Sequence, residues 1–375
     1  MQAETKLRRV LHLMQCTYLG GTEQTAYALM RGLQGRGYDF TVCSMHPPGD
    51  GAVILRELGI PLIGHEYRGR FGWRTHDVLR RTVRAIPADL TLVTAPTLSG
   101  CAAVRHVRNA RRILTVHYHH GDDVRSRWKW RAFYHVFGRD YARITFLTDF
   151  IRREAEAVAP HLANRFRTVR APVSPPRTIP PVVREEIRRA WGLPAAVPVI
   201  VNAGQLIDRK RWDVFLNVAA RVARRERDAH FLIAGDGPAR AVLESRARQL
   251  GIGARTRFVG WQRDTESVYA AGDLLLFNSD ADAFGRTPLE AMAAGLPVVA
   301  SVTYGGTDEL IEHGRNGILL KRHDEGALAD HVQGLLRSGA HRAAIVRNGL
   351  DTVRRLHSCE AFLTTYARLF EEVLG

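Results

Sequence analysis

Cysteine is scarce and scattered: Cys16, Cys43, Cys101 and Cys359 are the only four in 375 residues. They form no C-x-x-C pair, so neither a disulfide framework nor a zinc site is indicated, and a reducing compartment is expected. Long apolar runs are missing too. No stretch approaches the ~18 residues of a membrane-spanning helix, and the opening MQAETKLRRVLHLMQC is too short and interrupted in its apolar part for a secretory leader. The chain is therefore expected in the cytoplasm or at the inner face of the cell membrane, not across it. Neither repeats nor low-complexity tracts occur, which excludes an array or a disordered chain, and 45% hydrophobic residues suffice for two domains with a core each.

Lysine is rare, at Lys6, Lys129, Lys210 and Lys321 alone, and arginine supplies the rest of a formal charge of +16. Residues 1–181 hold 28 Lys+Arg against 14 Asp+Glu, a balance of +14, while 182–375 hold 26 against 24, or +2. A bias toward arginine does not explain that asymmetry. A field of one sign on one half favours an anionic partner: an acidic bilayer, a phosphate-bearing lipid or nucleic acid.

Asp280 to Ser301, DADAFGRTPLEAMAAGLPVVAS, concentrates a turn, a helix start and a buried strand. Phe284-Gly285 predicts the turn. Thr287, three residues before Glu290 and with Pro288 at the first helical position, predicts the helix N-terminus; Gly295 ends the helix, and Val298 to Ala300 predict a strand. Free backbone N–H groups beside Gly285 suit a phosphate or a sugar hydroxyl. Asp282 and Glu290 can face one cleft and accept hydrogen bonds from sugar hydroxyls. The competing structural reading is a capping box in which Thr287 and Glu290 satisfy the helix's own amides.

Elsewhere short apolar runs alternate with helical patterns. Val10–Met14, Phe40–Ser44, Leu62–Ile63, Leu90–Thr94, Ile113–Val116 and Ile144–Thr148 predict a mostly parallel sheet. The loop Leu19-Gly20-Gly21-Thr22-Glu23 then resembles a phosphate cradle in outline, and His117 stands at a strand's C-terminal end, where ligands gather. His117, His119, His120, Asp122 and Asp123 could form a metal cluster, but their spacing lacks a zinc pattern. Arg125–Phe137 mixes basic and aromatic residues as a helix lying on a membrane does, but Trp130, Phe133, Tyr134 and Phe137 share a helical face expected to pack on the sheet, with the charges in water. Arg68, Arg70, Phe71, Trp73 and Arg74, in a glycine-broken loop, are better placed to touch lipid or acceptor. Five prolines in Ala171–Pro181 mark the domain boundary. Beyond it, Val199–Ala203 predicts a further apolar strand, which leads to Lys210, a cation at the mouth of a loop suited to a departing diphosphate.

Asp282-Ala-Phe-Gly-x4-Glu290, followed by AMAAGLPVVAS, resembles the acidic-x7-acidic signature of family-four retaining glycosyltransferases of the GT-B fold. Gly204, Leu206 and Lys210 match that family's G-R-L-x-x-x-K-G motif, although Gln205 replaces its arginine and Arg211 its final glycine. Gly20-Gly21, the T-V-H ending in His117, FLIAGDG at Phe231–Gly237, G-G-x-x-E at Gly305–Glu309 and Asn316-Gly317 extend the likeness over nearly the whole chain.

The resemblance implies an α/β protein with two Rossmann-like domains, their parallel sheets facing an interdomain cleft: an acceptor domain over 1–173, a linker over 174–181, a nucleotide-sugar domain over 182–356, and a last helix, 357–375, returning to the first domain. It implies a retaining, metal-independent glycosyltransferase moving a sugar from a nucleoside-diphosphate sugar, UDP favoured over GDP, to a glycan or lipid-linked acceptor in cell-surface polysaccharide or glycolipid synthesis, with no cofactor and no nucleic acid. His117, Lys210 and Asp282 take the catalytic roles. Gly20, Gly21, Gln205, Arg209, Lys210, Phe284, Gly285, Arg286, Thr287 and Glu290 bind the donor, with Arg209 the candidate to make up the charge that Gln205 lacks. The alternatives are a GT-B epimerase or phosphorylase, and a non-catalytic binder of an anionic surface or nucleic acid.

Overall fold

The apolar runs become strands, every paired one parallel to its neighbour. In the computed structural model, which describes residues 7–66, 73–108, 110–121, 123–174, 179–322 and 324–375, the first sheet holds β1 (Arg8–Met14), β2 (Tyr38–Ser44), β3 (Leu62–Gly64), β4 (Leu90–Thr94), β5 (Arg111–Val116), β6 (Arg143–Phe146) and β7 (Phe166–Thr168). Their order is β3-β2-β1-β4-β5-β6-β7. The second sheet holds β8 (Val199–Ala203), β9 (His230–Ala234), β10 (Thr256–Phe258), β11 (Leu274–Phe277), β12 (Val298–Ser301) and β13 (Ile318–Leu320), ordered β10-β9-β8-β11-β12-β13. Every residue of β4, β8, β11 and β12 is buried, as expected of parallel strands with both faces covered.

The chain divides into one unit of Met1–Pro172 with Cys359–Gly375 and another of Val173–Ser358. In the first, the helix Cys359–Leu374 returns to a core shared with β1, β2 and the helix Gly21–Leu33, burying Phe362, Tyr366 and Phe370. Tyr38 fixes it, its ring 5.3 Å from that of Phe370 and its hydroxyl donating to Glu371 at 2.7 Å. In the second unit Arg188 clamps the helix Pro181–Ala190 to the sheet. Its buried guanidinium meets Asp273 Oδ2 at 2.7 Å and the carbonyls of Ala271, Ala195 and Val197, and Asp273 also accepts from Val199 N at 2.8 Å.

Three expectations change. The strand expected over Ile144–Thr148 ends at Phe146, because the Thr148 hydroxyl caps the helix Asp149–Val158 by accepting from Ile151 N at 3.2 Å. The loop expected over Leu19–Glu23 is shorter, since the helix Gly21–Leu33 begins directly after Gly20. Trp73 and Arg74, expected in a loop, open the helix Trp73–Ala85. Their side chains, with Arg68, Arg70, Phe71, Asp122 and residues 175–178 of the expected linker, lie outside the described residues.

Candidate functional site

Each sheet has a point where successive strands begin to add on the opposite side: between β1 and β4 in the first, between β8 and β11 in the second. Ligands of open parallel sheets bind beyond the strand carboxyl ends at that point. In the second unit the two loops there are Gly204–Arg211, after β8, and Asn278–Gly285, after β11. They carry all the donor-site candidates except Gly20, Gly21, Arg286, Thr287 and Glu290, and the last three follow at once in the helix Arg286–Ala293.

The loops are tied to each other. Asp280 N donates to Arg209 O at 2.9 Å and Ser279 Oγ to the same carbonyl at 3.2 Å, while the Arg209 guanidinium reaches Ala281 O. Lys210 Nζ meets Asp282 Oδ2, with the two side chains 14% and 19% exposed, and lies 5.6 Å from the centroid of the Phe277 ring. Arg209 forms no ion pair among the described residues, which leaves its charge available. Gln205 is exposed, and its carbonyl accepts from Trp212 Nε1 at 2.8 Å.

Asp282 is located by Tyr304-Gly305: Asp282 N donates to Tyr304 O at 3.0 Å. Gly305 has φ +139, and a Cβ there would stand 1.9 Å from Asp282 O. The G-G-x-x-E turn thus sets the position of the acid, a role its sequence does not reveal.

The predicted capping box does not form. The helix starts at Arg286, two residues before Pro288, because Gly285 takes the left-handed conformation (φ 82, ψ 55) and serves as an N-cap without a side chain. Thr287 Oγ1 instead donates to Ala203 O at the end of β8, 3.1 Å away. Among the described residues no hydrogen bond occupies the amides of Gly285, Arg286 and Thr287, so the first turn presents donors and the positive end of the helix dipole. Phe284 is buried against His357, ring centroids 5.1 Å apart, which leaves only its backbone for a ligand.

Glu290 therefore does not cap its own helix. Its Oε1 pairs with Arg286 Nε at 2.7 Å, and its Oε2 accepts from the Tyr269 hydroxyl at 2.9 Å and from Thr265 Oγ1 at 3.4 Å. Burial and the adjacent carboxylate keep the Tyr269 hydroxyl protonated, its pKa well above the ordinary phenol value. Three donors on a carboxylate with about four acceptor positions leave roughly one for a ligand. No motif pointed to Tyr269 or Thr265, which lie over twenty residues upstream and meet Glu290 only through the fold.

In the first unit Gly20 caps the helix Gly21–Leu33 with extended backbone (φ −93). Glu23 folds back over it, accepting from Cys16 Sγ at 3.2 Å; burial raises the Glu23 carboxyl above its usual range and pushes the Cys16 thiol up to about 11. His117 is buried just beyond β5, and its Nδ1 has no partner among the described residues. Burial drops its pKa to about 4. His12 on β1, bonded through Nε2 to Thr94 Oγ1 at 2.8 Å, is lowered to about 3 by burial and by His117. The neighbouring polar residues serve the fold: His120 Nε2 bonds the Tyr134 hydroxyl at 2.7 Å, and Asp123 accepts from Ser126 N at 2.9 Å as a helix cap.

Two family models match the chain, Glycosyltransferase Family 4 over residues 19–177 and Glycosyl transferases group 1 over 183–352. Among curated relatives, the lipopolysaccharide core biosynthesis glycosyltransferase LpsE of Rhizobium meliloti is 30% identical over 176 residues, 47% of this chain and 50% of that protein. The α-D-kanosaminyltransferase of Streptomyces kanamyceticus is 30% identical over 192 residues, 51% and 49%. The chain thus spans about half the length of these relatives. Anabaena HepE, solved in complex with UDP and glucose, has the same fold with a TM-score of 0.84, at 20% identity over 97% of this chain and 99% of that one. The two models meet the two sheet-bearing units in turn, and the chain belongs to the family-four glycosyltransferases of the GT-B fold.

Proposed function

We propose that this protein is a retaining glycosyltransferase that moves a sugar from a nucleoside-diphosphate sugar, UDP favoured, to a glycan or lipid-linked acceptor in cell-surface polysaccharide or glycolipid synthesis. The observation that carries the reading is the convergence at the second sheet's switch point of Lys210, Arg209, Asp282 and the amide-bearing start of the helix Arg286–Ala293. Curated relatives named for lipopolysaccharide core synthesis and kanosaminyl transfer support the reaction class, and the bound UDP of HepE supports the base.

In this reading the diphosphate lies across Lys210, Arg209 and the amides of Gly285 to Thr287. Two cations and a helix dipole oppose the charge that grows on the leaving phosphate as the glycosidic bond breaks, so the reading requires neither metal nor cofactor. Glu290, held by Tyr269, Thr265 and Arg286, accepts from a ribose hydroxyl with its remaining position. Asp282, once Lys210 turns to the phosphate, accepts from a sugar hydroxyl. Front-face attack lets the departing phosphate oxygen take the acceptor proton and keeps the anomeric configuration. The first unit carries the acceptor, with Gly20, Gly21 and a neutral His117 beyond the ends of its own strands.

The test is release of nucleoside diphosphate from a panel of UDP- and GDP-sugars, with and without lipid-linked oligosaccharide acceptors, followed by product NMR. Acceptor-dependent release with an α-linked product from an α-linked donor is expected. An inverted product, or epimerised donor in the absence of acceptor, would overturn the reading.

A further inference from the structure

The helix Val124–Phe137 has two unlike faces. Inward, Tyr134 and Phe137 are buried and the rings of Trp130 and Phe133 pack beside them, centroids 5.5 Å apart, as the sequence predicts. Outward, Val124, Trp128 and Val136 are 71%, 63% and 51% exposed, with exposed Ala132 between the last two. Steps of four residues place them in one row along the helix. Inward packing already buries this helix's aromatic stripe, so the outer row has no task in holding the fold.

Arg125, Arg127, Lys129, Arg131 and His135 stand exposed on both sides of that row. Among the described residues none of the three arginines or Lys129 forms an ion pair, and the Arg131 guanidinium lies 5.4 Å from the Trp128 ring centroid. The nearest carboxylate on the element, Asp123, is engaged as the helix cap. A second copy of this face would set cations against cations. A nucleic acid would satisfy the charges and gain nothing from the valines. An anionic bilayer satisfies both, since apolar side chains enter the headgroup boundary, indole prefers that depth, and arginine and lysine reach lipid phosphates. The +14 balance of residues 1–181 has the sign this requires.

We propose that the helix Val124–Phe137 lies on an anionic membrane surface, with Val124, Trp128 and Val136 inserted among the headgroups and Arg125, Arg127, Lys129 and Arg131 paired with lipid phosphates. This docking rests on the first unit's surface alone and not on the transferase reading.

Flotation with vesicles of phosphatidylcholine and of an equimolar mixture of phosphatidylcholine and phosphatidylglycerol tests it, at low and high salt. Wild type is expected to float only with the anionic vesicles and only at low salt. Replacing Arg125, Lys129 and Arg131 together by glutamine should lower partitioning about a hundredfold, at about fivefold per charge. Trp128→Gln should lower it about tenfold, and the blue shift of tryptophan emission on binding should vanish in Trp128→Phe. Melting temperature and stabilisation by UDP should be unchanged in every variant, which separates lost docking from a lost fold or donor site. The proposal is overturned if wild type stays with the dense fraction at low salt, if the variants float as wild type does, or if a single-stranded oligonucleotide binds this face while vesicles are ignored.

Discussion

Replacing Asp282 by asparagine should tighten binding of the free nucleoside diphosphate while slowing transfer from the intact sugar nucleotide. Without ligand, the Lys210 ammonium is held by Asp282, both side chains mostly shielded from water. A diphosphate recruits that ammonium only by displacing the carboxylate, so part of its binding free energy goes into breaking the pair. At an effective dielectric of about 20 a contact pair is worth about 4 kcal/mol, which is a ceiling. Partial exposure and rehydration of both groups reduce the net cost to about 1–2 kcal/mol. Asparagine keeps the shape and drops the charge, so the Kd for UDP should fall about five- to thirtyfold, at about 1.4 kcal/mol per tenfold. Transfer should suffer, because a neutral amide is a weaker acceptor for the sugar hydroxyl; a loss of about ten- to a hundredfold in kcat/KM is expected. Isothermal titration with UDP measures the first effect and initial rates with the sugar nucleotide the second. In Lys210→Ala the gain from the asparagine should disappear, since the two substitutions act through one contact. An unchanged or weaker affinity for UDP in Asp282→Asn would show that the carboxylate does not compete for the cation that binds phosphate.

Tyr269→Phe removes one of the three bonds on Glu290 and should raise the donor KM about three- to tenfold with kcat nearly constant; an unchanged KM would remove Glu290 from the donor's contacts. Arg188→Met strips the buried partner from Asp273 and three carbonyl acceptors and should cost about 3–5 kcal/mol in urea unfolding, whereas a loss below about 1 kcal/mol would place that network in water. Stability should fall on acidification: His12 and His117 have folded pKa values of about 3 and about 4 against 6.5 unfolded, so both states are neutral above 6.5 and the unfolded chain alone gains protons as pH drops toward 4. Each imidazole then withdraws about 1.4 kcal/mol per pH unit, and urea midpoints that stay level across that window would show the two rings to be solvated.

The parallel sheets were legible because strands covered on both faces are apolar along most of their length, and β4 and β8 are predicted end to end. Boundaries were missed where a side chain changes the backbone's partner, as when Thr148 leaves an apolar run to cap a helix. In the candidate site, Lys210 and Asp282 could be named because each lies in a loop directly after a strand. Glu290 could be named but its surroundings could not. The T-x-x-E spacing suggests local capping, and only the fold brings Tyr269 and Thr265 to the carboxylate and Ala203 O to Thr287. The exposed row of Val124, Trp128 and Val136 was hidden for a related reason. The aromatic stripe marks the face that packs inward, but the outer apolar row is interleaved with arginines and a lysine, and only the packing of Tyr134 and Phe137 shows that it is left exposed.

The two departures from the G-R-L-x-x-x-K-G pattern have different consequences. Arg211, where the pattern has glycine, adopts φ 49, ψ 49, a left-handed conformation that costs a non-glycine residue about 1–2 kcal/mol. Its guanidinium pairs with Asp213 at 2.9 Å and Asp280 at 3.3 Å, and those bonds offset the strain while fastening the Lys210 loop to the loop that carries Asp282. The strained residue thus ties together the two segments whose alignment the site requires. Gln205 is not offset locally, since an exposed amide brings no charge. The adjacent Arg209 reaches Ala281 O, one residue from Asp282, from the same turn as Lys210. In the proposed reading Arg209 supplies the second cation from four residues along the loop, since a diphosphate recognised by charge requires positive groups within reach and not a fixed position in the sequence.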